Sequence, residues 1–352
     1  MENNDHVALL HKFSVEKEHY TFERISQGLI NDTFLVIDET GPQYILQQIN
    51  TAVFPNVDGL MQNIGKALEY LVSADYSQIN LIKTLSGAWY YRTPGNDCWR
   101  LMTYLDKSTA YNTTTNKEIA YEAGAIIGKF HQLLQKAPLD DFVDPIPNFH
   151  SLELREKQFR DALDNCALIL KKKAKNAIDF TCETLVKLRE WDQENMTLRL
   201  CHNDTKLNNI LFEKDTNKAL CLIDLDTLMK GYFHYDFGDA VRTVVNTAAE
   251  DEQKHHKITF DKALFESFVN GLSSNAAFLT EKDRELLPFG VVLMPFLHGI
   301  RALTDYLNGN IYYKIAYENQ NLDRALSLYD FAQKAMKEIP YIEKVIKQKI
   351  KI

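Results

Sequence analysis

Short apolar runs separated by polar or glycine-bearing turns dominate the first hundred residues. These runs have the lengths typical of β-strands and lie at residues 20–26, 33–37, 44–49, 81–84, 89–93 and 98–105. Residues 55–73 differ, because Val57, Leu60, Ile64 and Leu68 recur at helical spacing along one stripe. The pattern predicts a β-sheet with one helix packed behind it.

The chain becomes mainly helical after residue 116. Apolar residues from Lys117 onwards form one stripe that also carries Gly124 and Gly128, two small residues that permit close helix packing. Residues 152–189 and the block that starts near residue 280 are also predicted to be helical. We therefore predict an α+β fold of two lobes: a small β-rich lobe over residues 1–105 and a larger, mainly helical lobe over residues 106–352.

One β-hairpin interrupts the helical lobe. Two apolar runs, at residues 210–213 and 219–223, flank a short polar turn. A hairpin centred on this turn would place Asn209 directly opposite Asp224, and opposed residues lie about 5 Å apart. This register predicts that the two side chains offer oxygen atoms to one cation. Asp226 would share a face with Asp224 if the strand continued.

The residues just before this hairpin form the most specific motif of the chain. His202, Asp204 and Asn209 follow the pattern His-x-Asp-x-x-x-x-Asn, and an Ile-Asp pair that ends at Asp224 follows the hairpin. In kinases the first Asp accepts the proton of the attacking hydroxyl, whereas the Asn and a later Asp hold magnesium. The motif predicts a protein-kinase-like fold with Asp204 as catalytic base and Asn209 and Asp224 as ligands of Mg²⁺.

A second aspartate motif, Tyr-Asp-Phe-Gly-Asp at residues 235–239, looks like the metal motif of protein kinases. It lies too far along the chain from Asn209 to form the strand opposite the first hairpin strand. We therefore interpret Asp236 as a structural carboxylate that caps a helix or braces the catalytic loop. Asp239 and Arg242, three residues apart on the helix predicted to follow, are interpreted as a structural pair.

Composition and charge narrow the class of partner. With 352 residues, of which 45% are hydrophobic and 25% charged, the chain has an ordinary globular composition and enough length for a large core. Its net charge of −8 argues against nucleic acid as the main partner. We find no apolar run near the ~18 residues of a membrane helix, no signal peptide and no C-x-x-C pair among the five cysteines. We expect a cytoplasmic protein without a membrane anchor or an obligate protein partner.

Over residues 20–313 the chain resembles the aminoglycoside phosphotransferase and choline kinase superfamily, and within it bacterial N-acetylhexosamine 1-kinases. The phrases that carry the resemblance lie at residues 28–34, 44–50, 53–57, 201–212, 223–227, 235–239, 299–301 and 304–307. The resemblance implies a kinase that uses ATP and Mg²⁺ to phosphorylate the anomeric (C1) hydroxyl of N-acetylglucosamine (GlcNAc) or N-acetylgalactosamine (GalNAc). Asp204 would orient that hydroxyl, and Arg301, with Tyr312 or Tyr313, would contact the sugar.

The expected nucleotide contacts come mainly from the first lobe. Backbone groups of the extended connector Thr103, Tyr104 and Leu105 would bind adenine. The glycine-bearing turn with Gly28, Asn31 and Thr33 would face the phosphates.

One position departs from the superfamily pattern. Gln47 stands where members of the superfamily usually carry a lysine on the third strand, and a glutamine cannot neutralise phosphate charge. Lys206, inside the catalytic loop, is a candidate source of the missing charge near the γ-phosphate.

Three alternatives stay open at this point. The acceptor could instead be choline, ethanolamine, homoserine or an aminoglycoside. The protein could also be a nucleotide-binding regulator without catalysis, for which Gln47 is the only support, or a phosphohydrolase that uses Asp224 and Asp226. The choice between GlcNAc and GalNAc depends on pocket shape, which the motifs do not determine.

Overall fold

The structure, a computed structural model, describes residues 3–25, 30–191 and 194–351. The elements of the N-terminal lobe are α1 (Asn3–Leu10), β1 (Thr21–Ile25), β2 (Asp32–Asp38), β3 (Gly41–Ile49), α2 (Val57–Tyr70), β4 (Leu81–Ile82), β5 (Tyr91–Arg92) and β6 (Cys98–Thr103). The strands form one antiparallel sheet in the order β1-β2-β3-β6-β4, with β5 also paired to β6. The six predicted strands and the predicted helix are therefore confirmed.

The second lobe is mainly helical, as predicted, and carries three short strand pairings. Its elements are β7 (Ser108–Thr109), α3 (Lys117–Leu134), α4 (Leu152–Asn165), α5 (Leu168–Lys173), α6 (Lys175–Leu188), β8 (Arg199–Cys201), β9 (Ile210–Glu213), β10 (Ala219–Leu222), β11 (Met229–Gly231), α7 (Phe233–Val244), α8 (Lys262–Ser273), α9 (Glu281–Leu307), α10 (Gln320–Lys337) and α11 (Ile339–Lys349). Strand β9 pairs with β10 and β7, and β8 pairs with β11. The α+β, two-lobe architecture is thus as predicted, while the exact boundary after residue 105 stays a prediction.

Helix α9 forms the centre of the second lobe. Its 27 residues are long and apolar enough to cross a membrane by length and composition alone, but 89% of its most apolar window is buried inside the protein. A helix that is apolar on all sides and covered by neighbouring helices is typical of a protein core. Helices α4, α7 and α10 pack against it.

Two glycines explain how closely these helices approach each other. A Cβ atom on Gly124 of α3 would lie 2.0 Å from the Phe268 carbonyl oxygen of α8, and one on Gly238 of α7 would lie 2.0 Å from the Gly290 carbonyl oxygen of α9. No side chain fits at either contact. The close packing predicted for Gly124 is confirmed, and Gly238 shows that the Phe-Gly-Asp motif serves packing between helices.

The predicted register of the hairpin is wrong by one residue. Next to the turn Ala219 pairs with Phe212, two residues away from the prediction. The irregularity between Ala219 and Cys221 reduces this difference to one residue, so that Cys221 pairs with Leu211 and Leu222 with Ile210. Ile223, whose N–H donates to the carbonyl oxygen of Asn209 at 2.9 Å, therefore takes the place expected for Asp224.

The strand also ends earlier than predicted. Asp224 adopts the left-handed conformation, with φ 62° and ψ 55°, and the next residues, Leu225–Thr227, form a 3₁₀ turn. Asp224 and Asp226 consequently do not share one strand face. Asn209 and Asp224 are not directly opposed as predicted, but Asp224 directly follows Ile223, the residue that bonds to Asn209.

Two buried histidines of the second lobe make its stability dependent on pH. Burial lowers the pKa of both His150 and His234 to about 3, against about 6.5 for a histidine in an unfolded chain. The unfolded state therefore binds more protons between pH 6.5 and 3, and stability falls as the solution is acidified through this window. We expect a loss of about 1.4 kcal/mol per pH unit for each histidine.

Guanidinium-chloride unfolding at pH 7.5, 6 and 5 measures the slope of the free energy of unfolding against pH. The variant His234→Phe removes one titrating ring and should lower the slope by about one proton, or ~1.4 kcal/mol per pH unit. An unchanged slope in this variant would mean that His234 does not take part in acid unfolding.

Candidate active site

Asp236 braces the loop that carries the His-x-Asp motif. Its side chain is fully buried and accepts hydrogen bonds from the backbone N–H groups of His202 at 2.8 Å and Asn203 at 2.7 Å. His131 Nε2 lies 2.9 Å from the same carboxylate, and Thr205 Oγ1 donates to the Asp236 carbonyl oxygen. The geometry confirms that Asp236 braces the catalytic loop, and His131 is buried beside its carboxylate.

His202 holds the loop from its other side. The ring donates from Nε2 to the Ile223 carbonyl oxygen at 2.9 Å and accepts at Nδ1 from the Asp204 N–H at 3.3 Å. These two bonds together match one neutral tautomer. Because Ile223 directly precedes Asp224, His202 links the loop of Asp204 to the loop of Asp224.

Asp204 presents one of its two carboxylate oxygens to the cleft. Lys206 Nζ at 2.8 Å and Asn209 Nδ2 at 2.9 Å both donate to Oδ2. Oδ1 has no hydrogen-bond partner within the described residues, and the side chain is 20% exposed. Burial opposes ionisation of Asp204, but the charge of Lys206 outweighs it and lowers the pKa of Asp204 below its ordinary value. The site thus contains an ionised carboxylate with one oxygen available to accept a proton.

The side chains of Asn209 and Asp224 provide oxygen ligands that suit a hard cation. Asn209 donates from Nδ2 to both the carbonyl oxygen and Oδ2 of Asp204, at 2.8 and 2.9 Å, which turns its amide oxygen away from Asp204. The carboxylate of Asp224 has no protein partner within the described ranges. Magnesium binds oxygen ligands of this kind, often through one or two carboxylates. The residues present therefore fit the group that the motif predicted.

The pKa of Asp224 is consistent with a carboxylate that lacks a counter-ion. Loss of hydration in the cleft raises it to about 6, the charge of Asp226 adds to the rise, and Lys206 lowers it. A divalent cation would supply the positive charge that the protein does not place beside this side chain.

Asp226 belongs to a different set of contacts, and its role was left open by the sequence. It forms a buried ion pair with Arg100 of β6, with 2% and 3% of the two side chains exposed. Its other carboxylate oxygen accepts from Asn31 Nδ2 at 2.7 Å. Arg100 also donates to Gln47 of β3. Arg100 was not a predicted site residue, although a charged residue inside an apolar strand was a visible signal.

The predicted phosphate-facing turn is described only in part. Gly28 lies outside the described residues. Asn31 uses both ends of its amide, since its Oδ1 accepts from the Asn50 N–H at 2.9 Å while its Nδ2 donates to Asp226. Thr33 accepts from Gln47 Nε2 at 2.9 Å. The structure therefore joins Asn31, Thr33 and Gln47 in one network, and their contacts to a nucleotide stay a prediction.

The predicted adenine connector retains one unpaired backbone donor. The N–H groups of Thr103 and Tyr104 donate to the carbonyl oxygens of Asn80 at 3.0 Å and Gln43 at 2.9 Å. Leu105 N–H makes no backbone hydrogen bond in the described part of the chain. Of the three connector residues, Leu105 is therefore the one whose N–H is available to a ligand.

Arg301 and the loop after α9 form the opposite wall of the cleft. The guanidinium of Arg301 lies over the ring of Phe149, 5.0 Å from its centre. Burial lowers the pKa of Arg301, but neighbouring Tyr313 and Tyr312 and then Asp204 outweigh burial and raise it. Arg301 is thus within electrostatic reach of the proposed catalytic base.

Arg301 and Asp305 lie one turn apart on α9 but do not form an ion pair. Asp305 instead accepts from the backbone N–H groups of Tyr312 at 2.8 Å and Tyr313 at 3.0 Å. Asp305 therefore shapes the loop that holds the two predicted sugar contacts.

A second arginine on this wall was missed by sequence reasoning. Arg155 of α4 donates to the Phe149 carbonyl oxygen at 2.7 Å, so Arg155 and Arg301 contact the same residue. Burial and then the charge of Arg301 lower the pKa of Arg155 to about 10. Neither arginine forms an ion pair with a carboxylate of the described residues.

The nearby carboxylates are neutralised by other groups. Asp239 pairs with Arg242 at 2.7 Å and with His298 at 3.1 Å, as the structural interpretation of Asp239 and Arg242 predicted. Glu250 pairs with Arg242 and Arg324. The wall of Arg301 and Arg155 therefore has surplus positive charge.

Comparison with known proteins identifies the family. Residues 21–268, more than half of the chain, match the phosphotransferase enzyme family. The chain belongs to this family. Membership of this family makes the protein a phosphotransferase.

Solved structures with low sequence identity share the whole fold. A microcompartment-associated aminopropanol kinase is 17% identical, with 97% of this chain and 98% of that chain covered and a TM-score of 0.64. A spectinomycin phosphotransferase in complex with ADP and spectinomycin is 14% identical, with 99% of each chain covered and a TM-score of 0.62. An amicoumacin kinase in complex with AMP-PNP and Ca²⁺ is 15% identical, with 94% and 92% covered and a TM-score of 0.59. The acceptors of these proteins differ, so the fold alone does not specify an acceptor for this chain.

Proposed function

We propose that the protein transfers the γ-phosphoryl group of Mg·ATP to the anomeric (C1) hydroxyl of an N-acetylhexosamine, GlcNAc or GalNAc. Three features support this proposal. The His-x-Asp-x-x-x-x-Asn motif and the surrounding phrases resemble those of N-acetylhexosamine 1-kinases, Asp204 offers an ionised oxygen to a hydroxyl, and the cleft wall beyond it has surplus positive charge.

The surplus positive charge of this wall is the observation that favours a neutral sugar over a cationic acceptor. Guanidinium groups without carboxylate partners repel a cationic acceptor such as choline or an aminoglycoside. Arg301 and Arg155 lie on this wall without carboxylate partners, and Arg301 covers Phe149. Guanidinium groups are hydrogen-bond donors only, so they suit the oxygens of a neutral sugar and its acetamido group.

Phosphoryl transfer requires a protein mainly to position the reacting groups and to neutralise phosphate charge. In the proposed reaction, residues of this chain have these two roles. Asp204 Oδ1 accepts the proton of the C1 hydroxyl and aligns its oxygen. Lys206, already bonded to Asp204 Oδ2, holds a positive charge beside the transferred group. Magnesium, when bound by Asn209 and Asp224, would neutralise phosphate charge. Arg301, Tyr312 and Tyr313 would orient the sugar.

The nucleotide would occupy the space between the two lobes, whose boundary we propose lies after residue 105. Leu105 N–H is the proposed contact to adenine. Gly28, Asn31 and Thr33 form the proposed turn near the phosphates. Thr33 supports this proposal through its hydrogen bond to Gln47, and Asn31 through its bond to Asp226, which Arg100 links to Gln47.

A panel of acceptors tests the proposal. ADP release is measured with ATP and Mg²⁺ and, in parallel, GlcNAc, GalNAc, glucose, choline and kanamycin, and the products are examined by ³¹P NMR. We expect turnover with the N-acetylhexosamines and a phosphate coupled to the anomeric proton. Turnover only with choline or kanamycin would overturn the acceptor but keep the kinase. ATP binding without turnover on any acceptor would favour a regulator.

A further inference from the structure

A buried arginine lies on the face of the sheet that carries the nucleotide network. Arg100 on β6 pairs directly with Gln47 on β3, and strand alternation places both on the face of Ile49 and Cys98. This face packs against α2, where Met61 Sδ is 4.0 Å from Arg100 Nη1. Because only 1% of Arg100 is exposed, its positive charge is a fixed part of the fold.

Arg100 determines which way the side chain of Gln47 is turned. Two of its nitrogens, Nε at 2.9 Å and Nη2, donate to Gln47 Oε1. Since a guanidinium can only donate, the amide oxygen of Gln47 must face Arg100 and its NH₂ group must point away. One N–H of that group donates to Thr33 Oγ1 at 2.9 Å. The other has no partner within the described residues, so Gln47 is held as a hydrogen-bond donor.

The same guanidinium holds the loop that follows the proposed metal ligand. Nη1 of Arg100 forms the buried ion pair with Asp226, whose second oxygen accepts from Asn31. Asp226 lies two residues after Asp224, so the pair ties the sheet of the first lobe to the metal loop of the second. A buried ion pair is weak support for stability compared with apolar residues of similar volume, which indicates that stability alone does not explain this one.

We propose that Arg100 is the positioning residue of the triphosphate site. From the neighbouring strand it orients Gln47 as a hydrogen-bond donor and anchors the metal loop through Asp226. The ligand class is a nucleoside triphosphate with its divalent cation. This inference rests on the proposed use of Mg·ATP but not on the identity of the acceptor.

The test measures nucleotide binding without an acceptor. Arg100→Met alone would leave Asp226 buried without a partner and could unfold the chain, so Asp226→Asn is added to remove both charges together. We expect this double variant to keep its thermal unfolding temperature, while the Kd for Mg·ATP in calorimetry rises about 10- to 100-fold. The Kd for adenosine should change much less, because the groups that Arg100 positions, Gln47 and the metal loop, are proposed to act on the phosphates and the metal.

A third substitution separates a role in phosphate binding from a role in folding. Gln47→Lys, added to the double variant, returns a positive charge to the same face of the sheet and should restore most of the affinity for Mg·ATP. Gln48→Lys adds the same charge on the same strand but on the opposite face, beside Asp97, and should restore none.

The outcomes distinguish this inference from the proposed function. Wild-type affinity in the double variant, or equal rescue by Gln47→Lys and Gln48→Lys, would overturn the role of Arg100 and leave the proposed kinase intact. A wild-type protein that binds no Mg·ATP would overturn both.

Discussion

Replacing Asp204 with Asn is expected to lower kcat by about 10²- to 10⁴-fold, the range of a positioned general base. Asn is nearly the same size, so it can keep the contact to Asn209, but an amide cannot take the proton of the attacking hydroxyl. The affinity for Mg·ATP should stay near that of the wild type, because the amide oxygen of Asn can still accept hydrogen bonds from Lys206 and Asn209, the groups proposed to face the γ-phosphate and the metal. Steady-state kinetics at saturating acceptor and calorimetry with Mg·ATP measure the two quantities.

The matched control is Asp215→Asn, which removes the same charge from the exposed turn of the hairpin. This variant should have wild-type kcat. If Asp204→Asn retained most of its activity while Asp215→Asn did the same, Asp204 would not be the group that accepts the proton, and the proposed mechanism would be wrong at its centre.

The catalytic loop was predictable because its chemistry is local in sequence. The spacing between Asp204 and Asn209 places both in one short segment, and the structure joins them by direct hydrogen bonds. Asp236 was also interpreted correctly, because the hairpin left no strand position for it beside Asn209. Such conclusions need only the order of residues and the reach of their side chains.

The hairpin register was not predictable to the residue. The assumed turn centre gives an ideal pairing, but the strands pair two residues away from it beside the turn, and the irregularity between Ala219 and Cys221 then reduces the difference to one residue. Because side chains alternate between faces, a shift of one residue exchanges the two faces of the strand. The left-handed conformation of Asp224, which ends the strand, likewise has no signal in its neighbours, since Asp tolerates several backbone conformations.

Contacts between distant segments account for the site residues that were missed. Arg100 meets Asp226 across 126 positions of the chain, and Arg155 meets Arg301 only through Phe149. Periodicity places a side chain on a face of its own strand or helix but does not specify the element that covers that face. Arg301 and Asp305, one turn apart on α9, do not pair for the same reason, because the backbone of the following loop bonds to Asp305.

The second large expected effect concerns Asp224, where a substitution should lower activity without lowering the stability of the fold. Asp224→Asn removes a proposed magnesium ligand, and we expect kcat to fall by about 10²-fold or more. The folded protein should not lose stability at pH 7 without metal, because the raised pKa of Asp224 means that burial, and then the charge of Asp226, oppose its ionised form. Thermal unfolding without metal and kinetics over a range of Mg²⁺ concentrations measure the two effects.

Asp226→Asn, two residues away, is the natural comparison because it removes the same charge from a buried ion pair. It leaves Arg100 without its counter-ion, so we expect a loss of stability of about 3–5 kcal/mol, in contrast to Asp224→Asn. The opposite ranking, with Asp224→Asn the less stable of the two, would mean that Asp224 supports the fold and that Asp226 is the better candidate for the metal. The sign of the difference in unfolding temperature between these two variants therefore decides which carboxylate of the Asp-Leu-Asp sequence the protein leaves for a cation.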